Sequence, residues 1–180
     1  MINDAFLLPL KDFDLAKIRL RAGGTDKVTE LARAMALDVL QSCAPRRVVI
    51  LSESAAITRF AHEHGAEVYE SSSTSLNEAV QGAYGALGAR FERLIIVHGD
   101  LRNPVGLALF DPDPDVTIVT DHHGLGTNVL ALPTGHDFRF AYGADSARRH
   151  EHEALRLDLA LHVVTDSPWR FDVDEPSDLN

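Results

Sequence analysis

Three aspartates stand where carboxylates serve phosphate chemistry. Asp100 ends the run Leu94-Ile95-Ile96-Val97-His98-Gly99-Asp100, a strongly apolar strand pattern, and so emerges at the carboxyl edge of a sheet. Asp172 and Asp174, in Phe171-Asp172-Val173-Asp174-Glu175-Pro176, alternate and would share one face of a strand. Crowded carboxylates repel unless a cation lies between them, and Mg²⁺ is a hard ion that takes oxygen ligands together with substrate phosphates. Ordinary uses compete: Asp100 as an N-cap for the segment after Arg102, and the Asp172–Asp174 stretch as a solvated edge strand or a cap before Pro176.

A basic loop complements these acids. The first apolar run empties into Pro9-Leu10-Lys11-Asp12-Phe13-Asp14-Leu15-Ala16-Lys17-Ile18-Arg19-Leu20. Ligands of open α/β sheets bind outside the carboxyl ends of strands, where this loop should lie. Its lysines and the fork of Arg19 could hold a triphosphate, although a solvated basic loop reads the same way. Neither G-x-x-x-x-G-K-[ST] nor G-x-G-x-x-G is present, so a nucleotide would be held by another route.

Two further stretches suit an anion. In Asp121-His122-His123-Gly124-Leu125-Gly126-Thr127-Asn128, paired glycines permit close backbone approach, and Thr127 and Asn128 offer neutral donors; a tight hairpin is the alternative. Tyr142-Gly143-Ala144-Asp145-Ser146 could present amides at a helix N-terminus, or simply cap that helix through Asp145 or Ser146.

Composition narrows the field. A net charge of −10 opposes nucleic acid and anionic membrane partners. No apolar stretch approaches membrane-spanning length, and a cytoplasmic location is expected. The single cysteine, Cys43, sits in an apolar helical pattern and reads as a buried hydrophobe. Nine histidines lack metal-site spacing: His122 and His123 diverge in an extended segment, and His62/His64 and His150/His152 do not share a helix face, so most read as surface residues.

The elements that must position these residues alternate between strand and helix, the pattern of βαβ units and a largely parallel sheet. Strands are expected at Ala5–Pro9, Arg47–Leu51, Ala66–Tyr69, Leu94–His98, Val116–Thr120, Asn128–Leu132, Leu159–Val164 and Trp169–Val173. Helices are expected from Lys27 to Gln41, from a Ser54 cap to His64 with Gly65 as the stop, from a Ser75/Glu78 capping box through Leu87, and from Asp145 to about Leu157. At 180 residues the chain suits one domain spanning 1–180.

Taken in order, these pieces resemble the 2-phospho-L-lactate guanylyltransferase family of deazaflavin coenzyme (F-420) biosynthesis. Pro9-Leu10-Lys11 with Ala16-Lys17-Ile18-Arg19-Leu20 is similar to its P-x-K and A-K-S-R-L signature. Leu76-Asn77-Glu78-Ala79 is similar to its L-N-x-A helix start, and Gly99-Asp100-Leu101 to its A-D-L-P loop. Gly124–Asn128 resembles G-x-G-T-N, Tyr142-Gly143 with Ser146 and His150 resembles F-G-x-x-S-x-x-x-H, and Asp172-Val173-Asp174-Glu175-Pro176 resembles D-x-D-x-P. Departures fall at Ile18, at His98, and at Arg102-Asn103-Pro104.

The resemblance implies a single-domain, Rossmann-like (GT-A-like) α/β nucleotidyltransferase with a mostly parallel central sheet and helices on both faces. It implies Mg²⁺ at Asp100, Asp172 and Asp174, and catalytic roles for Lys17, Arg19 and Asp100. GTP would lie against Leu8, Pro9, Lys11, Lys17 and Asn77, and a phosphorylated acid (2-phospho-L-lactate, phosphoenolpyruvate or 3-phosphoglycerate) against Thr127, Asn128, Gly143 and Ser146. A homodimer and hand-off to the next enzyme of the coenzyme pathway are further expectations. A cytidylyl- or sugar-nucleotidyltransferase and a catalytically silent nucleotide-binding subunit stay open as alternatives.

Overall fold

A computed structural model describes residues 3–15, 25–112 and 115–173. Eleven principal elements run β1 (Asp4–Pro9), α1 (Thr25–Cys43), β2 (Val48–Ser52), α2 (Ala55–Glu63), β3 (Glu67–Glu70), α3 (Leu76–Leu87), β4 (Arg93–Val97), β5 (Val116–Thr120), β6 (Thr127–Pro133), α4 (Ser146–Arg156) and β7 (Leu161–Val164). The seven strands form one sheet in the order β3-β2-β1-β4-β6-β5-β7. Only β6 runs against its neighbours; every other pairing is parallel.

The central strands are apolar without interruption because both faces are covered, as βαβ crossovers require. Phe6, Leu8, Ile50, Ile95, Val97 and Val129 join one core with Ala36 and Val39 of α1 and Phe60 of α2. Their sequence neighbours Leu7, Val49, Leu94, Ile96 and Leu130 turn to the other face, against Val80 and Tyr84 of α3 and Ala154 of α4. Strand periodicity of two therefore divides one run of residues between two cores. The α/β architecture expected from the sequence, with helices on both faces, is the one observed.

Local chemistry explains the boundaries. Ser54 caps α2 by accepting from the amides of Ala56 and Ile57, and Gly65 follows at φ +70, a value that favours glycine. The Ser75/Glu78 capping box does not form. Ser75 makes no side-chain cap bond; Glu78 instead accepts from the Ser73 hydroxyl at 2.6 Å, and Ser73 Oγ accepts from the Ser75 amide at 3.1 Å. At α4 the N-cap Asp145, at φ 54, likewise makes no side-chain cap bond.

The expected strand at Trp169–Val173 is also corrected. Pro168–Arg170 is a 3-10 turn capped by Ser167, and only Asp172 pairs, in an isolated antiparallel bridge with Leu101. Proline at the turn's start favours helical φ and lacks the amide a ladder needs. Among the described residues no helix is long and apolar enough to cross a membrane.

Candidate active site

The carboxyl ends of β1, β2, β3 and β4 open into one cleft. Its wall takes Pro9, Leu10, Lys11 and Phe13 after β1, Ser52 and Glu53 at β2, Ser73–Leu76 before and into α3, and His98-Gly99-Asp100 after β4. The beginning of the basic loop is held rather than loose. Leu10 N donates to Leu51 O at 2.9 Å, and the Ser52 hydroxyl donates to Leu10 O at 2.6 Å. Asp12 accepts from the Ser54 hydroxyl at 2.6 Å and from the Asp14 amide at 3.0 Å, while Phe13 meets the Phe60 ring edge-on. Lys11, between these anchors, is exposed at the cleft.

Asp100 lies at the cleft's edge, beyond β4, and caps no helix: the next helical turn is the 3-10 stretch Leu107–Leu109, which begins at Gly106. The carboxy-terminal segment runs beside it. Arg102 N donates to Phe171 O at 2.7 Å and Val173 N to Asp100 O at 3.1 Å, bracketing the Leu101–Asp172 bridge. Asp100 and Asp172 are thereby brought onto adjoining backbone from distant parts of the chain. Trp169 fixes the segment upstream. Its indole N–H donates to Val105 O at 3.0 Å, its ring meets Phe110 edge-on, and its carbonyl accepts from the Asn128 amide at 3.0 Å.

The Asp121–Asn128 stretch is the β5–β6 hairpin, closed by Asp121 N to Gly126 O and by Leu125 N to the Asp121 carboxylate, with Gly124 at φ +77. His122 and His123 do not diverge as an extended chain would make them; in this turn their ring centroids lie 3.7 Å apart, and both are exposed. Thr127, buried at the hairpin's exit, has its hydroxyl oxygen 3.2 Å from that of Ser146 and 3.0 Å from Nδ1 of His150. Asn77, at the start of α3, accepts from Tyr142 N at 2.7 Å and donates to Tyr142 O at 3.1 Å, tying that helix to the turn before α4. Gly143 follows at φ +118 with nothing within 4 Å of where a Cβ would stand.

Two buried polar atoms beside this network have no partner among the described residues, His98 Nε2 and the Tyr142 hydroxyl. Their rings lie 5.4 Å apart, and Tyr142 lies 4.8 Å from His150. Burial drives the Tyr142 hydroxyl far above its ordinary pKa, so it remains protonated. Burial also lowers His150 to about 4, reinforced by nearby His98 and partly opposed by Glu153. His150 is thus a buried neutral ring, while seven others (His62, His64, His122, His123, His136, His152 and His162) are exposed, as expected of most of the histidines. Cys43 is fully buried, and burial pushes its thiol up to about 12.

A cleft at the carboxyl ends of parallel strands, with Lys11 and Asp100 in its wall, suits a nucleotidyl-transfer fold. The family model described as guanylyl transferase CofC-like matches residues 5–180. The chain belongs to this guanylyl transferase family. A phosphoenolpyruvate guanylyltransferase of Roseiflexus castenholzii is 32% identical over 180 residues, covering 96% of this chain and 84% of its own. A 3-phospho-D-glycerate guanylyltransferase of Phenylobacterium zucineum is 29% identical, covering 91% and 82%. A solved structure from Desulfovibrio desulfuricans G20, described as a nucleotide-diphospho-sugar transferase, superposes with a TM-score of 0.79 at 19% identity over 99% of this chain and 85% of its own; that likeness shows the fold alone.

For this guanylyl transferase, the fold gathers some of the expected residues and leaves others apart. Pro9, Lys11 and Asp100 line the cleft; Leu8 is buried in the core, and Asn77 spends its amide on Tyr142. Thr127 and Ser146 meet, whereas Asn128 turns to Trp169. Lys17, Arg19 and Asp174 lie outside the described residues. Among the described residues no three His, Cys, Asp or Glu side chains group as a metal site. Sequence reasoning passed over the cleft-lining Ser52, Glu53 and Ser73, and it named His150 only as the end of a resembling motif, without a role. Only their position after parallel strands, or the apolar face around residue 150, carried a signal.

Proposed function

We propose that the chain transfers GMP from GTP to the phosphate of phosphoenolpyruvate or 3-phosphoglycerate, releasing pyrophosphate, as a step of F-420 coenzyme biosynthesis. The names of the two relatives support these acceptors; 2-phospho-L-lactate is the third acid of matching size and charge. The observation that supports the reading is the cleft at the carboxyl ends of the parallel strands, lined by Pro9, Lys11 and Asp100, with the backbone around Asp172 bridged to Leu101 next to it.

The donor set there is all oxygen, which fits Mg²⁺. Asp100 and Asp172 would hold it, with Asp174 as the third carboxylate. When bound, Mg²⁺ neutralises charge between the two anionic reactants. The remaining work falls to the chain. The acceptor phosphate is already anionic at neutral pH, so the transfer needs positioning more than a general base. Lys11, with Lys17 and Arg19 further along the sequence, stabilises the triphosphate and the departing pyrophosphate. Thr127, Ser146 and the Gly143 turn grip the phosphorylated acid. An acidic protein can bind two acidic substrates in this way because the positive field is local.

Pyrophosphate release with GTP, Mg²⁺ and each of the three acids tests the reading, with CTP, UTP and ATP in parallel. Turnover with GTP and one acid, abolished in Asp100→Ala and Asp172→Ala, is the expected outcome. Turnover only with CTP would favour a cytidylyltransferase. GTP binding without turnover on any acid would leave a silent nucleotide-binding subunit.

A further inference from the structure

Behind Thr127 and Ser146 stands His150, fully buried on α4 among the rings of Phe138, Phe140 and Tyr142. Both of its nitrogens are engaged. The amide of Ala141 lies 3.0 Å from Nε2, and a backbone N–H can only donate, so Nε2 is the lone-pair nitrogen. The ring is neutral, because burial holds its pKa near 4. The single ring proton therefore sits on Nδ1 and is donated to Thr127 Oγ1 at 3.0 Å.

That assignment fixes the polarity of the hydroxyl pair. One hydrogen bond joins Ser146 Oγ to Thr127 Oγ1, at 3.2 Å, and uses one of the two hydroxyl protons. The other cannot point back to His150, whose nitrogen on that side is already a donor. No described residue accepts it. With the opposite tautomer, Thr127 would donate to the ring and Ser146 to Thr127, and no proton would be left over. The imidazole's orientation thus decides whether the pair offers a donor or hides one.

We propose that His150 is a positioning residue for the acceptor: by donating from Nδ1 to Thr127 it makes the Thr127–Ser146 pair present one hydroxyl proton to an anionic oxygen of the phosphorylated acid. This rests on the proposed function for the identity of the acid. The location fits, since the pair lies beside the open Gly143 turn, and Tyr142 and His98 connect it to the cleft. A fixed donor inside a dry wall is stronger toward an anion than the same hydroxyl in water.

Two variants separate the ring's two bonds. His150→Asn keeps a donor near the place of Nδ1; His150→Gln keeps an acceptor near the place of Nε2 and loses that donor. In pyrophosphate-release assays, His150→Gln is expected to raise the acceptor KM about tenfold or more, the scale of one hydrogen bond to a charged group, with the GTP KM changed less than about twofold. His150→Asn should stay near wild type. An unchanged acceptor KM in folded His150→Gln, or an equal rise in both KM values, would overturn the proposal.

If the wild-type protein turns over none of the acids, the proposed function falls and the positioning role is decided by ¹⁵N-resolved NMR of the wild-type ring. An Nδ1–H resonance that shifts on adding phosphoenolpyruvate supports it. A ring protonated at Nε2, or an Nδ1–H unmoved by the acid, ends it. The same spectra decide the matter if His150→Gln does not fold.

Discussion

Leu101 and Asp172 pair in a single antiparallel bridge, and through it the segment around Asp172 is laid against the residue that follows Asp100. The bridge is too short to hold itself, being one pair flanked by two backbone bonds. Its stability is borrowed from Trp169 upstream, and Trp169's carbonyl depends on the buried Asn128 amide. Asn128, expected to touch the substrate, anchors the segment that carries Asp172 through its side-chain N–H.

Asn128→Ala should therefore act at a distance. Leaving the Trp169 carbonyl without its donor is expected to cost about 1–2 kcal/mol of stability. It should also raise the Mg²⁺ concentration for half-maximal pyrophosphate release several-fold, with little change in the GTP KM. Thermal melts and an Mg²⁺ titration check both. An unchanged Mg²⁺ requirement would mean that Asp172 holds its place without this anchor.

The fold was legible because the strands are strongly apolar and the turn residues are explicit. Leu94–Val97 and Ala5–Leu8 can only be covered on both faces, and Ser54 and Gly65 bracket a helix by side-chain and backbone chemistry alone. Where local signals misled, a neighbour distant in sequence or a competing side chain had won. Ser73 took the partners that Ser75 and Glu78 would have shared, and Pro168 set a 3-10 turn where alternation suggested a strand. The site was legible as residue types but not as partners. Nothing in the sequence around residue 150 says that its ring reaches Thr127, because that contact is made only when α4 docks beside β6.

Arg170 offers a second test of how the site is held. Its guanidinium donates to the carbonyls of Asp121 at 2.9 Å, His122 at 3.0 Å and Thr165 at 2.8 Å, clamping the β5–β6 hairpin onto the carboxy-terminal segment. Lysine carries the charge without the planar fork. Arg170→Lys is expected to lose about 1 kcal/mol in chemical denaturation and to speed amide exchange at Gly124 and Leu125. Equal stability and equal exchange would show that one point charge suffices.

Tyr142→Phe should run the other way. The hydroxyl is buried with no partner among the described residues, so it carries the desolvation penalty without a compensating bond. Removing it is expected to stabilise the protein by about 1 kcal/mol, read as a higher denaturation midpoint with an unchanged slope. A loss of stability would mean that the hydroxyl is satisfied in solution, by water or by a ligand.

His150 also gives the protein a defined acid sensitivity. Its folded-state pKa, about 4, lies below the ordinary histidine value of about 6.5, because burial and nearby His98 disfavour the imidazolium more than Glu153 favours it. Between those two values the unfolded chain binds a proton that the folded chain refuses, so the contribution to stability is whole above about pH 6.5 and is lost as pH falls toward 4. The full span corresponds to about 3 kcal/mol. Carboxylates titrate at the lower end of the same window, and the comparison that isolates the histidine is wild type against His150→Asn. From pH 7 to pH 5 the wild-type denaturation midpoint should fall more steeply than that of the variant, whose side chain does not titrate. Parallel curves would mean that the ring is solvated enough to take up its proton without unfolding.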